Sequence, residues 1–112
     1  MGLWAGIAAL MIVAAARQGI LAPIPPMLAA EPKSNSEILL VWRFEPGYRF
    51  ARIEVSFKGA GTPYRVVGEI DGHSNTFLKS GLQPDSRYYF RARACVGRLC
   101  SNYSNEVVAT PL

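Results

Sequence analysis

After residue 26 the chain is dominated by alternation of apolar and polar positions. Glu37 to Phe44 puts Ile38, Leu40 and Trp42 on one side, and Ala51 to Phe57 sets Ile53, Val55 and Phe57 against Arg52, Glu54 and Ser56. Past a turn at Leu82 to Ser86, Tyr88, Phe90, Ala92 and Ala94 alternate with Arg87, Tyr89, Arg91 and Arg93. A period of two marks a strand with one face buried. Shorter runs extend the pattern. Met27 to Ala30 predicts a first strand, placed at an edge where the preceding prolines are tolerated. Tyr64 to Ile70 predicts another, and Asn75 to Lys79 a short one with Phe77 inward. The last strand is predicted over Tyr103 to Thr110, with Val107 and Ala109 inward. Polar or glycine- and proline-bearing stretches separate them, at Glu31–Ser36, Glu45–Tyr48, Lys58–Pro63 and Asp71–Gly72. Short strands at regular spacing predict an all-β antiparallel sandwich, and no stretch after Arg17 has helical periodicity.

The front of the chain follows another rule. Leu3 to Ala16 is apolar or small and uncharged, too short for the roughly 20 residues of a bilayer span. It fits the apolar region of a secretory signal, with Ala14-x-Ala16 as the cleavage pattern and a mature chain beginning near Arg17. No Lys or Arg precedes the run, and Arg17 stands on the wrong flank for a well-oriented signal. A strand or helix of the fold, or a start assigned too early, is the alternative. Pro23, Pro25 and Pro26 make 17–26 an extended linker. The expected organisation is a signal over 1–16, the linker, and one domain over 27–112. The 112-residue length and 50% apolar content allow one real core. A net charge of +4 slightly favours acidic partners and is too small to indicate nucleic acid.

The run Leu82-x-Pro84-x-Ser86-x-Tyr88-x-Phe90-x-Ala92-x-Ala94 resembles the E–F corner and strand F of a fibronectin type III domain. Pro23-x-x-Pro26-containing sequence up to Ala30 resembles its strand A, Trp42 its strand-B tryptophan, and Ser104-Asn105-Glu106-Val107-x-Ala109-Thr110 its closing strand. In antibody-type domains the core Trp lies on strand C beside a B–F disulfide. Here no Cys lies on the second strand, which favours the fibronectin type. The resemblance covers about Pro23 to Leu112, and the short loop between two Cys looks most like domains of secreted bacterial proteins. It implies a sandwich of about seven strands with Trp42, Leu82, Pro84 and Tyr88 as structural residues. Tyr88 is expected to place its ring between the sheets and bond its hydroxyl to a corner carbonyl within Leu82 to Asp85.

Chemistry is sparse. Cys95 and Cys100 flank four residues between strands predicted to be adjacent and antiparallel, within disulfide range. A disulfide is expected if the protein is exported, and two reduced thiols if it is cytosolic. Two Cys and a distant His73 cannot fill a zinc tetrahedron. His73 follows a turn glycine and reads as a surface residue. The glycine-rich Lys58–Pro63 carries no Gly-Lys-Ser or Gly-Lys-Thr and reads as hairpin chemistry. No serine sits in a Gly-x-Ser-x-Gly elbow and no carboxylate pair stands out. The expectation is a protein that is not an enzyme and takes no cofactor.

Binding candidates lie on the outer face of the strands predicted over Ala51–Phe57 (strand C), Tyr64–Ile70 (strand C′) and Tyr88–Ala94 (strand F), where alternation places Arg52 and Glu54, Arg65 and Val67, then Tyr89, Arg91 and Arg93. Arginine interleaved with an aromatic suits an acidic glycan or an anionic protein patch. The ordinary alternative is a solvated sheet face with cross-strand Arg–Glu pairs. Arg98, at the tip of the F–G loop, is the second candidate. Asn102-Tyr103-Ser104 matches a glycosylation acceptor of secreted proteins. The expected function is a secreted or cell-surface interaction module, monomeric, with a protein or glycan partner and no nucleic acid. It meets a membrane only if the front segment stays uncleaved. The competing expectation is a structural spacer or a fragment of a larger extracellular enzyme, such as a carbohydrate-active one.

Overall fold

The computed structural model describes residues 23–44 and 52–112. The expected signal over 1–16, residues 17–22 of the expected linker, the turn at 45–48 and the start of the following strand at 51 lie outside the described residues. Eight strands follow in order: β1 (Met27–Pro32), β2 (Ile38–Arg43), β3 (Arg52–Gly59), β4 (Arg65–Asp71), β5 (Thr76–Lys79), β6 (Tyr88–Val96), β7 (Leu99–Cys100) and β8 (Val107–Ala109). They make two antiparallel sheets, ordered β1-β2-β5 and β4-β3-β6-β7, with β8 also paired to β6. The fold is the expected all-β sandwich.

The alternation read from the sequence decides which side chains meet. Ile38, Leu40 and Trp42 from one sheet are buried against Ile53, Val55, Phe57, Phe90, Ala92 and Ala94 from the other. Burying each large side chain contributes about 1.5–3 kcal/mol, and ordered packing of both sheets is what offsets the entropy of fixing so many short strands. Leu28, Leu82 and Ala109 complete the buried cluster. Pro26 is almost fully buried and Pro23 is buried, so packing begins before β1. Asn105 ties β1 to the far sheet: the Leu28 N–H donates to Asn105 Oδ1 at 2.9 Å, and Asn105 Nδ2 donates to the Leu28 carbonyl at 2.9 Å.

Three local readings need correction. First, β4 is not in simple alternation with β3. The register slips between Val55 and Ser56, pairing Val55 with Gly68 but Ser56 with Val66. This bulge turns the strand by one residue. Val67 therefore packs against the core, and Arg65 lies 5.2 Å from the Phe57 ring centroid; neither stands on the outer face.

Second, the closing strand is broken. Regular pairing survives at Leu99–Cys100 and Val107–Ala109, while between them two serines replace part of the ladder. Ser101 N–H donates to the Ala94 carbonyl at 2.7 Å, and the Ala94 N–H donates to Ser101 Oγ at 3.0 Å. Ser104 treats Ala92 the same way, at 2.7 and 2.9 Å. Three residues of this segment thus advance along two residues of β6.

Third, the corner hydroxyl acts as an acceptor. Pro84 and Asp85, the latter at φ 57°, turn the chain back so that the Gln83 N–H donates to Tyr88 Oη at 2.9 Å. Aspartate tolerates that left-handed conformation better than most residues. The bond satisfies a backbone N–H and not the expected carbonyl, and it lies where water reaches. Tyr88→Phe is accordingly expected to cost about 1 kcal/mol, the ordinary net worth of a hydrogen bond. Tyr89→Phe, on the outer face, is expected to change the urea midpoint little. A larger loss from Tyr89→Phe would mean that β6 is out of register by one residue.

Candidate functional site

The outer face of the larger sheet is built by the register of β3 on β6. Arg52 stands opposite Cys95, Glu54 opposite Arg93, Ser56 opposite Arg91 and Lys58 opposite Tyr89. These positions face away from the core because their neighbours Ile53, Val55 and Phe57 face into it. The sheet thus brings together four of the expected residues, Arg52, Tyr89, Arg91 and Arg93. Arg98 lies apart, exposed at the turn between β6 and β7.

Three residues of this face were not singled out by pattern: Lys58, Tyr64 and Tyr103. A regular closing strand with Val107 and Ala109 inward would turn Tyr103 inward as well. The extra residue between Ser101 and Ser104 changes the frame and lays the ring on the outer side. The slip in β4 likewise frees Tyr64 to lie beside β3 and β6. The result is a row of rings and cations. Lys58 Nζ is 5.1 Å from the Tyr64 centroid and 5.3 Å from that of Tyr89. The Arg91 guanidinium lies 4.1 Å from Tyr64 and 3.7 Å from Tyr103, held between them. Arg93 is 5.0 Å from Tyr103. Each such contact contributes about 0.5–1 kcal/mol at an exposed site.

Acids are placed unevenly along the row. Arg93 Nε donates to Glu54 Oε1 at 2.9 Å, and Glu54 is only 7% exposed, so this pair is part of the structure. Arg52 reaches Glu69 at 3.8 Å and donates from Nη1 to the Gly97 carbonyl at 2.8 Å, bracing the β6–β7 turn. The Tyr64 hydroxyl donates to Glu106. Partial burial, with the Glu106 carboxylate beside it, pushes the Tyr64 phenol well above its usual range, so it stays protonated. Arg91 has no carboxylate partner among the described residues, and its Nε is buried without a hydrogen bond there. Its charge is held by rings alone.

The remaining candidates are structural. Cys95 and Cys100 are opposite each other in the ladder and form the expected disulfide. Closing so short a loop contributes about 2 kcal/mol on the entropic account and fixes the turn locally. His73 is exposed, and its N–H donates to Asp71 Oδ1 at 2.8 Å within a turn. Among the described residues no group of three or more His, Cys, Asp or Glu is placed to hold a metal ion.

No family model matches the sequence, and no curated protein does. Solved structures match the fold. A chain described as a myokine structure is 16% identical with a TM-score of 0.72, over 81% of this chain and 100% of that one. The FN1–FN3 domains of chicken CNTN1 are 17% identical with a TM-score of 0.71, over 80% of this chain and 32% of that one. A β-1,2-glucanase from Parabacteroides distasonis is 22% identical with a TM-score of 0.70, over 80% of this chain and 13% of that one. The described part of the chain is a β-sandwich of the immunoglobulin-like class. Within that class it has the fold of a single fibronectin type III domain.

Proposed function

We propose that the protein is an exported, monomeric, non-catalytic interaction module. Its binding surface is the row of tyrosines and cations on β3, β4, β6 and the segment before β8, and its partner is an anionic glycan or an acidic protein patch. One observation carries this reading: Arg91 is held between Tyr64 and Tyr103 at 4.1 and 3.7 Å with no carboxylate beside it among the described residues. A stacked guanidinium keeps its in-plane donors for a carboxylate or sulfate, while the ring edges give a flat apolar platform. The Cys95–Cys100 bond supports an oxidising, extracellular compartment. The front segment over 1–16, as a cleaved signal, is the route of export. Arg98, at the loop tip, extends the surface.

The test must spare Arg93, because its loss would strand the buried Glu54 carboxylate. Lys58→Gln with Arg91→Gln is expected to lower the salt concentration at which the protein leaves a heparin column. Lys33→Gln with Arg43→Gln removes the same charge from exposed positions on or beside the smaller sheet and is expected to lower it less. Equal retention of the two variants would reject the face. A spacer role is the second reading. It is favoured by the glucanase, where the matched part is 13% of a longer chain.

A further inference from the structure

A concave feature lies where the two sheets part, beside the turn at 59–63. β4 and β5 are the outer strands of their sheets on the same side, and among the described residues no strand bridges them. Between them a cavity of about 500 Å³ is lined by Phe57, Arg65, Lys79, Leu82 and Tyr88, with the 59–63 turn as one wall. Its walls are held before any ligand arrives. Thr62 Oγ1 accepts the Gly59 N–H and donates to the Gly59 carbonyl, each at 3.0 Å. Leu82 N–H donates to the Ser36 carbonyl at 3.0 Å, and Tyr88 receives the Gln83 N–H.

Charge distinguishes this cavity from a packing gap. Arg65, from one sheet, lies 5.2 Å from the Phe57 ring centroid, and Lys79 Nζ, from the other sheet, lies 5.0 Å from the same centroid. Among the described residues no acidic side chain lines the cavity. Neither cation is in an ion pair among the described residues, although Glu54, Glu69 and Glu106 of the outer face each sit close to a basic or phenolic partner. Two like charges brought to one ring without a carboxylate repel each other, and an anion between them relieves that repulsion. The apolar floor adds the second requirement, since ligand sites combine apolar lining with a few convergent polar groups.

We infer that this cavity is a binding site for a small amphiphilic carboxylate: one acid group between Arg65 and Lys79, and a flat apolar body over Phe57, Leu82 and Tyr88. The site shares Lys58 with the row described above, where its ammonium lies over the Tyr64 and Tyr89 rings; Arg65 and Lys79 belong to the cavity alone, so their double variant tests it separately from the row. The volume suits a ligand of one ring and a short chain.

Titration of the 15N-labelled, oxidised protein with 4-phenylbutyrate tests it. The expected result is saturable shifts at the amides of Gly59, Arg65, Lys79 and Gly81. Arg65→Gln with Lys79→Gln is expected to weaken the affinity tenfold or more. Arg43→Gln with Arg87→Gln, which removes the same net charge from exposed sites, is expected to leave it unchanged. 4-Phenylbutanol, of the same shape but neutral, is expected to bind at least tenfold more weakly. Equal binding of acid and alcohol would overturn the proposal, as would shifts that persist in the Arg65/Lys79 variant. Leu82→Ala supplies the apolar arm of the test: it should weaken both compounds, and no weakening would show that the apolar floor plays no part.

Discussion

Replacing Ser101 and Ser104 together with alanine is expected to lower the unfolding free energy by about 2–6 kcal/mol, at 1–3 kcal/mol for each backbone N–H left without a partner. Both N–H groups belong to β6, the strand that runs through the middle of the larger sheet. In the native protein the Ala94 and Ala92 N–H groups donate to the two serine hydroxyls, at 3.0 and 2.9 Å. Alanine keeps the backbone bonds from residues 101 and 104 but supplies no acceptor in return. Ser101 is buried, at 5% exposed, so water replaces it poorly; Ser101→Ala is expected to be the more damaging single change. Ser104 is more open and its loss is partly made good by water. Urea denaturation gives the midpoints, and amide exchange at Ala92 and Ala94 locates the effect. Threonine, which keeps the Oγ, should recover most of the loss at position 101. A double variant within about 0.5 kcal/mol of the parent, the range of ordinary surface changes, would show that the hydroxyls are not the acceptors that matter.

Gly68→Ala is the second large expectation. Gly68 faces inward opposite Val55, and a Cβ there would lie 2.7 Å from Cε1 and 3.0 Å from Cζ of Phe77. Real carbon contacts do not persist at that separation, so the Phe77 ring or β4 must move. Overpacking of this kind costs about 1–3 kcal/mol. Phe77 reaches across from β5, and Phe77→Leu would withdraw the atoms in question. In the Phe77→Leu background Gly68→Ala should cost less than in the parent, and the double-mutant cycle measures the difference. Equal costs in both backgrounds would mean that the damage comes from the backbone and not from the ring.

Both expectations rest on features that alternation alone does not reveal. Ile38, Leu40 and Trp42, or Phe90, Ala92 and Ala94, are legible because each strand keeps one frame from end to end. The disulfide was legible too, since its two Cys fall opposite one another in any tight β6–β7 hairpin. The β4 frame was not. Arg65-Val66-Val67-Gly68 offers an apolar residue to either face, and only the slip opposite Val55 selects between them. The closing strand departs from alternation for a related reason. A serine pattern looks like loop chemistry, yet here the hydroxyl of every third residue stands in for a carbonyl. Tyr103 is placed on the outer row by that exchange, so alternation shows only part of the row: Arg52, Tyr89, Arg91 and Arg93, and not Lys58 or the rings that flank Arg91. The Tyr88 corner shows a finer limit. Spacing puts the ring and hydroxyl in place, but whether the oxygen gives or receives the bond depends on which backbone group the Asp85 turn presents.

The broken closing strand has a consequence for how molecules of this protein meet. An open sheet border with a long regular run of free donors and acceptors recruits further strands and starts fibrous assembly. From Ser101 to Glu106 the regular run is interrupted, leaving pieces of two and three residues at β7 and β8. The opposite border, β4, carries the bulge and the exposed charges Arg65, Glu69 and Asp71. On the smaller sheet, the Asn105 amide occupies the Leu28 N–H and carbonyl. A concentrated solution therefore offers an incoming chain few places to add a strand, and the serine-rich segment that shapes the outer face also discourages the folded protein from polymerising.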